Sequence, residues 1–215
     1  DFWCVDYRYD AAGIGTGRYQ KQSWLELWAA SLRDGQLDGC VVPGVRCPDF
    51  LGVGTQKGGT TYLHNLLKCH PQIFLAYPKE IHFFSLHWQK GKDWYFSHFK
   101  DTTDNQVCGE FTPYYLYHPE APQRICSLLP AVKNIILLRD PVERALSQYF
   151  HSKRLGFETL ELEDAIAAEP ERLRESGESL ARGEKHLAHQ QHSYLSRSRY
   201  EEQVRRFEQR FPVQQ

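Results

Sequence analysis

The chain has 215 residues, a formal net charge of −1, 41% hydrophobic residues and 25% charged ones. That length carries one α/β domain with a full core but not two comfortable ones. The near-neutral charge excludes a polyanion partner recognised by overall charge, so any basic site is local and nucleic acid is not expected as a partner. No apolar run approaches the roughly 18–20 residues of a membrane span, no signal-peptide pattern opens the chain, and the absence of methionine even at position 1 reads as a fragment.

Residues 1–47 are aromatic-rich and punctuated by glycines, and read as an N-terminal extension packed on the main domain at 48–215. Within the extension, 24–32 has the spacing of a short amphipathic helix. The six cysteines hold no C-x-x-C pair and no zinc spacing. Cys40 and Cys47 flank a proline-containing loop and suit either a disulfide or two thiols. Cys69 and Cys126 fall in apolar helical patterns and read as buried thiols.

From Pro48 strands and helices alternate. The apolar run Phe50-Leu51-Gly52-Val53 leads into Gly54-Thr55-Gln56-Lys57-Gly58-Gly59-Thr60-Thr61, then into a helical pattern that His70-Pro71 stops. Strand, glycine-rich turn and helix start in that order build an anion site, because turn amides, helix dipole and a lysine converge. Gly54 and Gly59 have the Walker spacing, but Thr60 stands where that motif needs lysine, and the lysine sits inside the loop at position 57. A short strand at 73–76 runs into Tyr77-Pro78-Lys79-Glu80, followed by an aromatic segment from Phe83 to Phe96. Residues 107–111 read as a strand end, and 122–129 as a helix.

Val132 to Leu138 has a continuous apolar core, the mark of a strand buried on both faces of a parallel sheet. It ends at Arg139-Asp140-Pro141, with proline suited to a first helical turn, and Ser147 lies two turns on. Two readings fit this segment: Arg139 and Ser147 as ligands of a second anion, or Asp140 as a helix cap with Ser147 on the surface. The repeated strand–helix–strand pattern predicts an α/β, P-loop NTPase-like three-layer fold: a central parallel sheet flanked by helices, with ligands at the carboxyl ends of its strands. From about Leu160 the chain reads as charged, solvated helix. His186, His189 and His192 have a spacing that invites a metal, but no carboxylate or cysteine completes a familiar set, so a solvated or acceptor-side loop is expected and no metal.

On these residues the chain resembles the sulfotransferases that use 3′-phosphoadenosine 5′-phosphosulfate, in the carbohydrate branch that includes the heparan sulfate N- and O-sulfotransferases. The resemblance runs from about Asp49 to Pro212. It rests on Gln56-Lys57-Gly58-Gly59-Thr60-Thr61, on Lys79-Glu80-Ile81-His82-Phe83-Phe84, on Ile136 to Ser147, and on Ser193-Tyr194-Leu195 to Tyr200 with Phe207. It implies that Lys57, Gly58, Gly59, Thr60 and Thr61 hold the 5′-phosphosulfate and that Arg139 and Ser147 hold the 3′-phosphate. It also implies that Lys57 offsets charge on the leaving group and that Glu80 takes the acceptor's proton. Glu80 also suits pairing with Lys79 or a helix cap. His82 suits orienting the acceptor, relaying a proton, or a place in the core. His151 resembles a histidine near the active site of the N-sulfotransferase branch.

Glu110, Thr112, Tyr114 and Tyr115 are the expected acceptor contacts, through hydrogen bonds and ring stacking. Ser85 stands where 3-O-sulfating relatives have an acid, and Phe111 where they have lysine, both at positions expected along the acceptor, so heparan sulfate does not follow as substrate. The resemblance implies a donor that is a co-substrate and leaves as adenosine 3′,5′-bisphosphate, and an acceptor hydroxyl or amine, on a carbohydrate. The family's late lysine-bearing glycine loop has no counterpart before Gln215. The resemblance implies a Golgi lumen if the source is eukaryotic and a cytoplasm if it is bacterial. Two alternatives stay open: a P-loop small-molecule or nucleotide kinase, which Thr60 at the Walker lysine position opposes, and a non-catalytic nucleotide- or glycan-binding module.

Overall fold

The structure is a computed structural model and describes residues 2–4 and 46–211. The expected helix at 24–32 and Cys40 lie outside those residues. Five parallel strands form one sheet in the order β1-β5-β2-β4-β3: β1 Phe2–Cys4, β2 Phe50–Gly54, β3 Ile73–Leu75, β4 Val107–Phe111 and β5 Lys133–Ile136. The α/β class and the central parallel sheet are as the pattern of the sequence predicts. One element is additional: Phe2–Cys4, assigned by composition to an extension, pairs with β5 as an edge strand of the sheet.

The central strand β2 shows why the sheet is covered on both faces. Its side chains alternate, so Phe50 packs with Leu67, Ile73, Val107, Phe111 and Ile135 on one face. Leu51 and Val53 join the aromatic cluster of Phe83, Phe84, Tyr95 and Tyr115 on the other. Helix α1, Thr60–Lys68, covers the first face through Leu63, Leu66 and Leu67. The second face is covered by α4, Ala121–Leu128, and by short helices α2, Phe83–Leu86, and α3, Lys92–Phe96. The aromatic segment therefore forms a layer of stacked rings, with Phe83 and Tyr95 at 4.5 Å and nearly parallel. Each fully buried aromatic contributes about 1.5–3 kcal/mol.

After β5, Asp140 caps α5, Pro141–Arg154, by accepting from the amides of Val142 (3.0 Å) and Glu143 (2.9 Å). Four further helices follow: α6 Leu162–Arg172, α7 Ser176–Ala181, α8 Leu187–Gln191 and α9 Tyr200–Glu208. The charged tail is thus less solvated than its composition suggests, because its carboxylates hold the chain between α8 and α9. Glu169 is buried and accepts from the amides of Leu195 and Ser196, both at 2.8 Å. Glu158 is buried and accepts from Arg172 (2.6 Å), Tyr194 (2.7 Å) and the amide of Leu160 (2.9 Å). Cys126 is partly buried, whereas Cys69, expected in the core, is exposed because it sits at the C-terminal cap of α1, past the last apolar position.

Burial alone would raise the Glu158 carboxyl, but the hydrogen bonds from Arg172, Tyr194 and Leu160 outweigh it and bring its pKa down to about 2. A depressed carboxyl stabilises the fold fully above its unfolded value of about 4.3 and loses that contribution as pH falls toward 2. Denaturant unfolding followed from pH 6 to pH 2 is therefore expected to show a steep loss of stability below about pH 4.5. Glu158→Gln should lower stability at pH 6 and flatten that acid limb; an unchanged limb would refute the assignment.

Candidate active site

The site lies at the carboxyl ends of β2 and β5, where the chain leaves neighbouring strands in a switch-point crevice. The loop 55–59 is stitched to β5. The amide of Thr55 donates to the Leu137 carbonyl (2.9 Å), the amide of Leu137 to the Gly54 carbonyl (2.8 Å), and that of Gly58 to the Thr55 carbonyl (2.9 Å). Gly58 is required by contact: a Cβ there would lie 2.6 Å from the Leu137 carbonyl oxygen. Lys57 has a φ of 68°, an uncommon left-handed conformation for a side chain of its kind. Gly59 (φ 102°) is the N-cap of α1. The first turn of α1 has no side-chain cap and no acid to offset its dipole.

The second anion segment meets this loop. Arg139 donates to the Lys57 carbonyl at 3.4 Å and pairs with Glu143 at 3.0 Å, while its own carbonyl accepts from Tyr200 (2.9 Å). Of the two readings of that segment, the capping one is seen in Asp140, and Arg139 borders the loop. Ser147 is half-buried on α5, one turn before His151. His151 is held below its usual pKa by burial and then by Lys57 and Arg154, with Glu80 opposing. Lys57 is lowered by burial and by Arg154 and Arg139. Loop, α5 and Glu80 therefore lie within electrostatic reach of one another.

Glu80 lies 3.7 Å from Lys79 and 3.3 Å from His82. Lys79 also donates to Thr61 Oγ1 (3.0 Å), so it bridges the start of α1 and the segment carrying Glu80. Thr60 is buried beneath the loop. His82 is half-buried, with Nδ1 3.2 Å from Ser85 Oγ, and has a φ of 56°.

Glu110, Thr112 and Tyr114, expected at the acceptor, lie one layer deeper, at 1%, 0% and 3% exposure. The His82 amide donates to Thr112 Oγ1 (3.3 Å), and that hydroxyl donates to Glu110 (2.6 Å), which also accepts from Tyr115 (2.8 Å). Burial pushes the Glu110 carboxyl up to about 7 against these hydrogen bonds. Tyr114 is edge-on to His82 and its hydroxyl is 2.7 Å from His189 Nδ1. The three form the base under the Glu80–His82 turn. Phe111 is likewise in the core, edge-on to Phe50. The tail histidines diverge: His186 caps α8, His189 meets Tyr114, and His192 Nε2 is 2.9 Å from the Phe157 carbonyl.

Two site arginines escaped the sequence reading. Arg154 is exposed on the last turn of α5, with Nη2 3.1 Å from His151 Nδ1, and its spacing of three residues from His151 was a usable signal. Arg197 reaches the loop from 141 residues away, by a donor bond to Gln56 Oε1, and no local pattern marks it.

A family model described as "Sulfotransferase domain" matches residues 47–207. The chain is 45% identical over 108 residues to the membrane-associated sulfotransferase kil1 of Dictyostelium discoideum, covering 49% of this chain and 23% of that protein. It is 42% identical over 104 residues to heparan sulfate glucosamine 3-O-sulfotransferase 6 of Homo sapiens, covering 48% and 30%. A crystal structure of a sulfotransferase from Alicyclobacillus acidocaldarius matches with a TM-score of 0.66 and 31% identity, over 78% of this chain and 70% of that one. The matches thus span less than a third of the length of either curated relative.

Proposed function

The chain belongs to the sulfotransferase domain family, and from that premise we propose that it transfers a sulfuryl group from 3′-phosphoadenosine 5′-phosphosulfate to a hydroxyl or amine of a carbohydrate. The observation that carries this reading is the meeting of Arg139 with the Lys57 carbonyl across 82 residues, beside Glu80 and His151. On this reading the loop and Arg139 serve two neighbouring phosphoryl groups, with the Glu80 carboxylate within electrostatic reach of the same helix. The loop amides, Thr60, Thr61 and the open start of α1 suit the 5′-phosphosulfate; Arg139 and Ser147 suit the 3′-phosphate.

In the transfer, the acceptor oxygen or nitrogen forms a bond to sulfur as the bond from sulfur to the bridging phosphate oxygen breaks. Glu80 removes the acceptor proton, and Lys57 offsets the charge that develops on the departing phosphate oxygen. His82, fixed 3.3 Å from Glu80, orients the acceptor or passes the proton on. His151, kept below its ordinary pKa by burial and by the cations Lys57 and Arg154, offers a neutral nitrogen to the same acceptor. The relatives' names supply the carbohydrate class of acceptor, and the missing acid at Ser85 leaves the glycan open.

Calorimetry of the full chain with adenosine 3′,5′-bisphosphate and with ATP–Mg²⁺ tests the donor. Binding of the bisphosphate in the micromolar range, at least tenfold tighter than ATP–Mg²⁺, is expected, about 1.4 kcal/mol of preference. The reverse order would favour a kinase. Transfer of labelled sulfate to a glycan panel then separates an enzyme from a module that only binds.

A further inference from the structure

Arg197 is 1% exposed, yet it has no carboxylate within ion-pairing distance among the described residues. Its guanidinium donates to Gln56 Oε1 in the anion loop and to the carbonyls of His189 (2.8 Å) and Gln190 (3.0 Å). It lies over the rings of Tyr114 (5.2 Å) and Tyr117 (4.8 Å), and its Nε has no partner. Burying a charge this way is costly unless the surroundings use it. Packing alone does not require it, since an apolar chain of similar volume between two tyrosines would avoid that cost.

The loop supplies the use. Lys57 is left-handed, and such a residue keeps its conformation only when its neighbours fix it. On its carbonyl side it is fixed by Arg139. On its amide side the preceding residue, Gln56, is fixed by Arg197. With its oxygen engaged by Arg197, the Gln56 side chain is held on the protein side of the loop.

We propose that Arg197 is a positioning residue for the donor: it clamps Gln56 from below and thereby keeps Lys57 and the loop amides in the anion-binding arrangement. The inference rests on the sulfotransferase reading of the loop. The planar fork of arginine is needed, because it must reach one side-chain oxygen and two carbonyls at once while lying flat on two rings; lysine supplies the charge without the fork.

A double-mutant cycle tests this, with full-chain Gln56→Ala, Arg197→Lys and the double variant read by bisphosphate calorimetry and by steady-state kinetics. Gln56 is a half-buried loop residue, so its truncation spares the fold even if changes at Arg197 do not. Each single change is expected to weaken bisphosphate binding about ten- to thirtyfold, the worth of one charge-assisted bond. The double should weaken it no further than the worse single. The donor KM should rise while the acceptor KM stays put, a split that general destabilisation would not produce. Wild-type affinity in Gln56→Ala, or losses that multiply in the double, would overturn the proposal. If the unaltered chain fails to bind the bisphosphate while it binds ATP–Mg²⁺, the donor reading falls and the role of Arg197 toward that donor falls with it.

Discussion

Glu80→Gln is expected to lower kcat by about 10²–10⁴-fold, the usual worth of a positioned general base, while the bisphosphate Kd stays within about twofold. The substitution keeps the shape and one oxygen near His82 and Lys79, at 3.3 and 3.7 Å from the carboxylate in the parent, so the turn carrying it should survive. What it removes is the ability to accept a proton from the acceptor. Because Glu80 is tied to Lys79, and Lys79 to Thr61 at 3.0 Å, a loss of donor affinity of the same size as the loss of kcat would instead mean that Glu80 serves the loop. Single-turnover sulfate transfer beside calorimetry distinguishes the two. An unaffected rate would remove Glu80 as the base.

Removing the Lys57 amine is the second large effect, and its position allows a clean version of the experiment. In most loops Lys→Ala mixes loss of charge with a change in backbone preference. At φ 68° the backbone is one that glycine adopts more readily than lysine, so Lys57→Gly deletes the charge while relieving conformational cost. The expected outcome is a fall in kcat of about 10²–10³-fold, comparable to losing one preorganised donor at a developing anion, together with a melting temperature at or above that of the parent. If the melting temperature drops in step with activity, the lysine is structural. If neither moves, Lys57 does not face the leaving group.

The parts of this protein that were legible in the sequence are those whose cause is local. Strand β2, the glycine loop, the cap at Asp140 and the proline start of α5 each follow from a few adjacent residues, and each appears within a residue or two of where the pattern puts it. Glu80 and Arg139 were legible as candidates because their neighbours carry the motifs. Glu110, Thr112 and Tyr114 lie deeper than expected: polar residues at a strand's carboxyl end usually meet solvent, but here two tyrosines and a threonine satisfy the carboxylate inside the core. Arg197 was illegible, since its meaning lies in contact with Gln56, across most of the described chain. Edge strand β1 is a three-residue pairing with β5 and leaves too short a pattern to read.

The bare start of α1 has a consequence for how such a chain can be improved. A capping serine or aspartate is worth about 1 kcal/mol to a helix, and Gly59 withholds it. On the proposed reading an aspartate there would put its carboxylate where the donor's phosphate sits, and it would force a residue with a Cβ into a φ of 102°. On that reading stability is forgone at this turn in favour of affinity, and selection for heat resistance alone would push against catalysis here. A thermostabilised variant of this protein should be sought in α6 to α9, with the first turn of α1 left as it is.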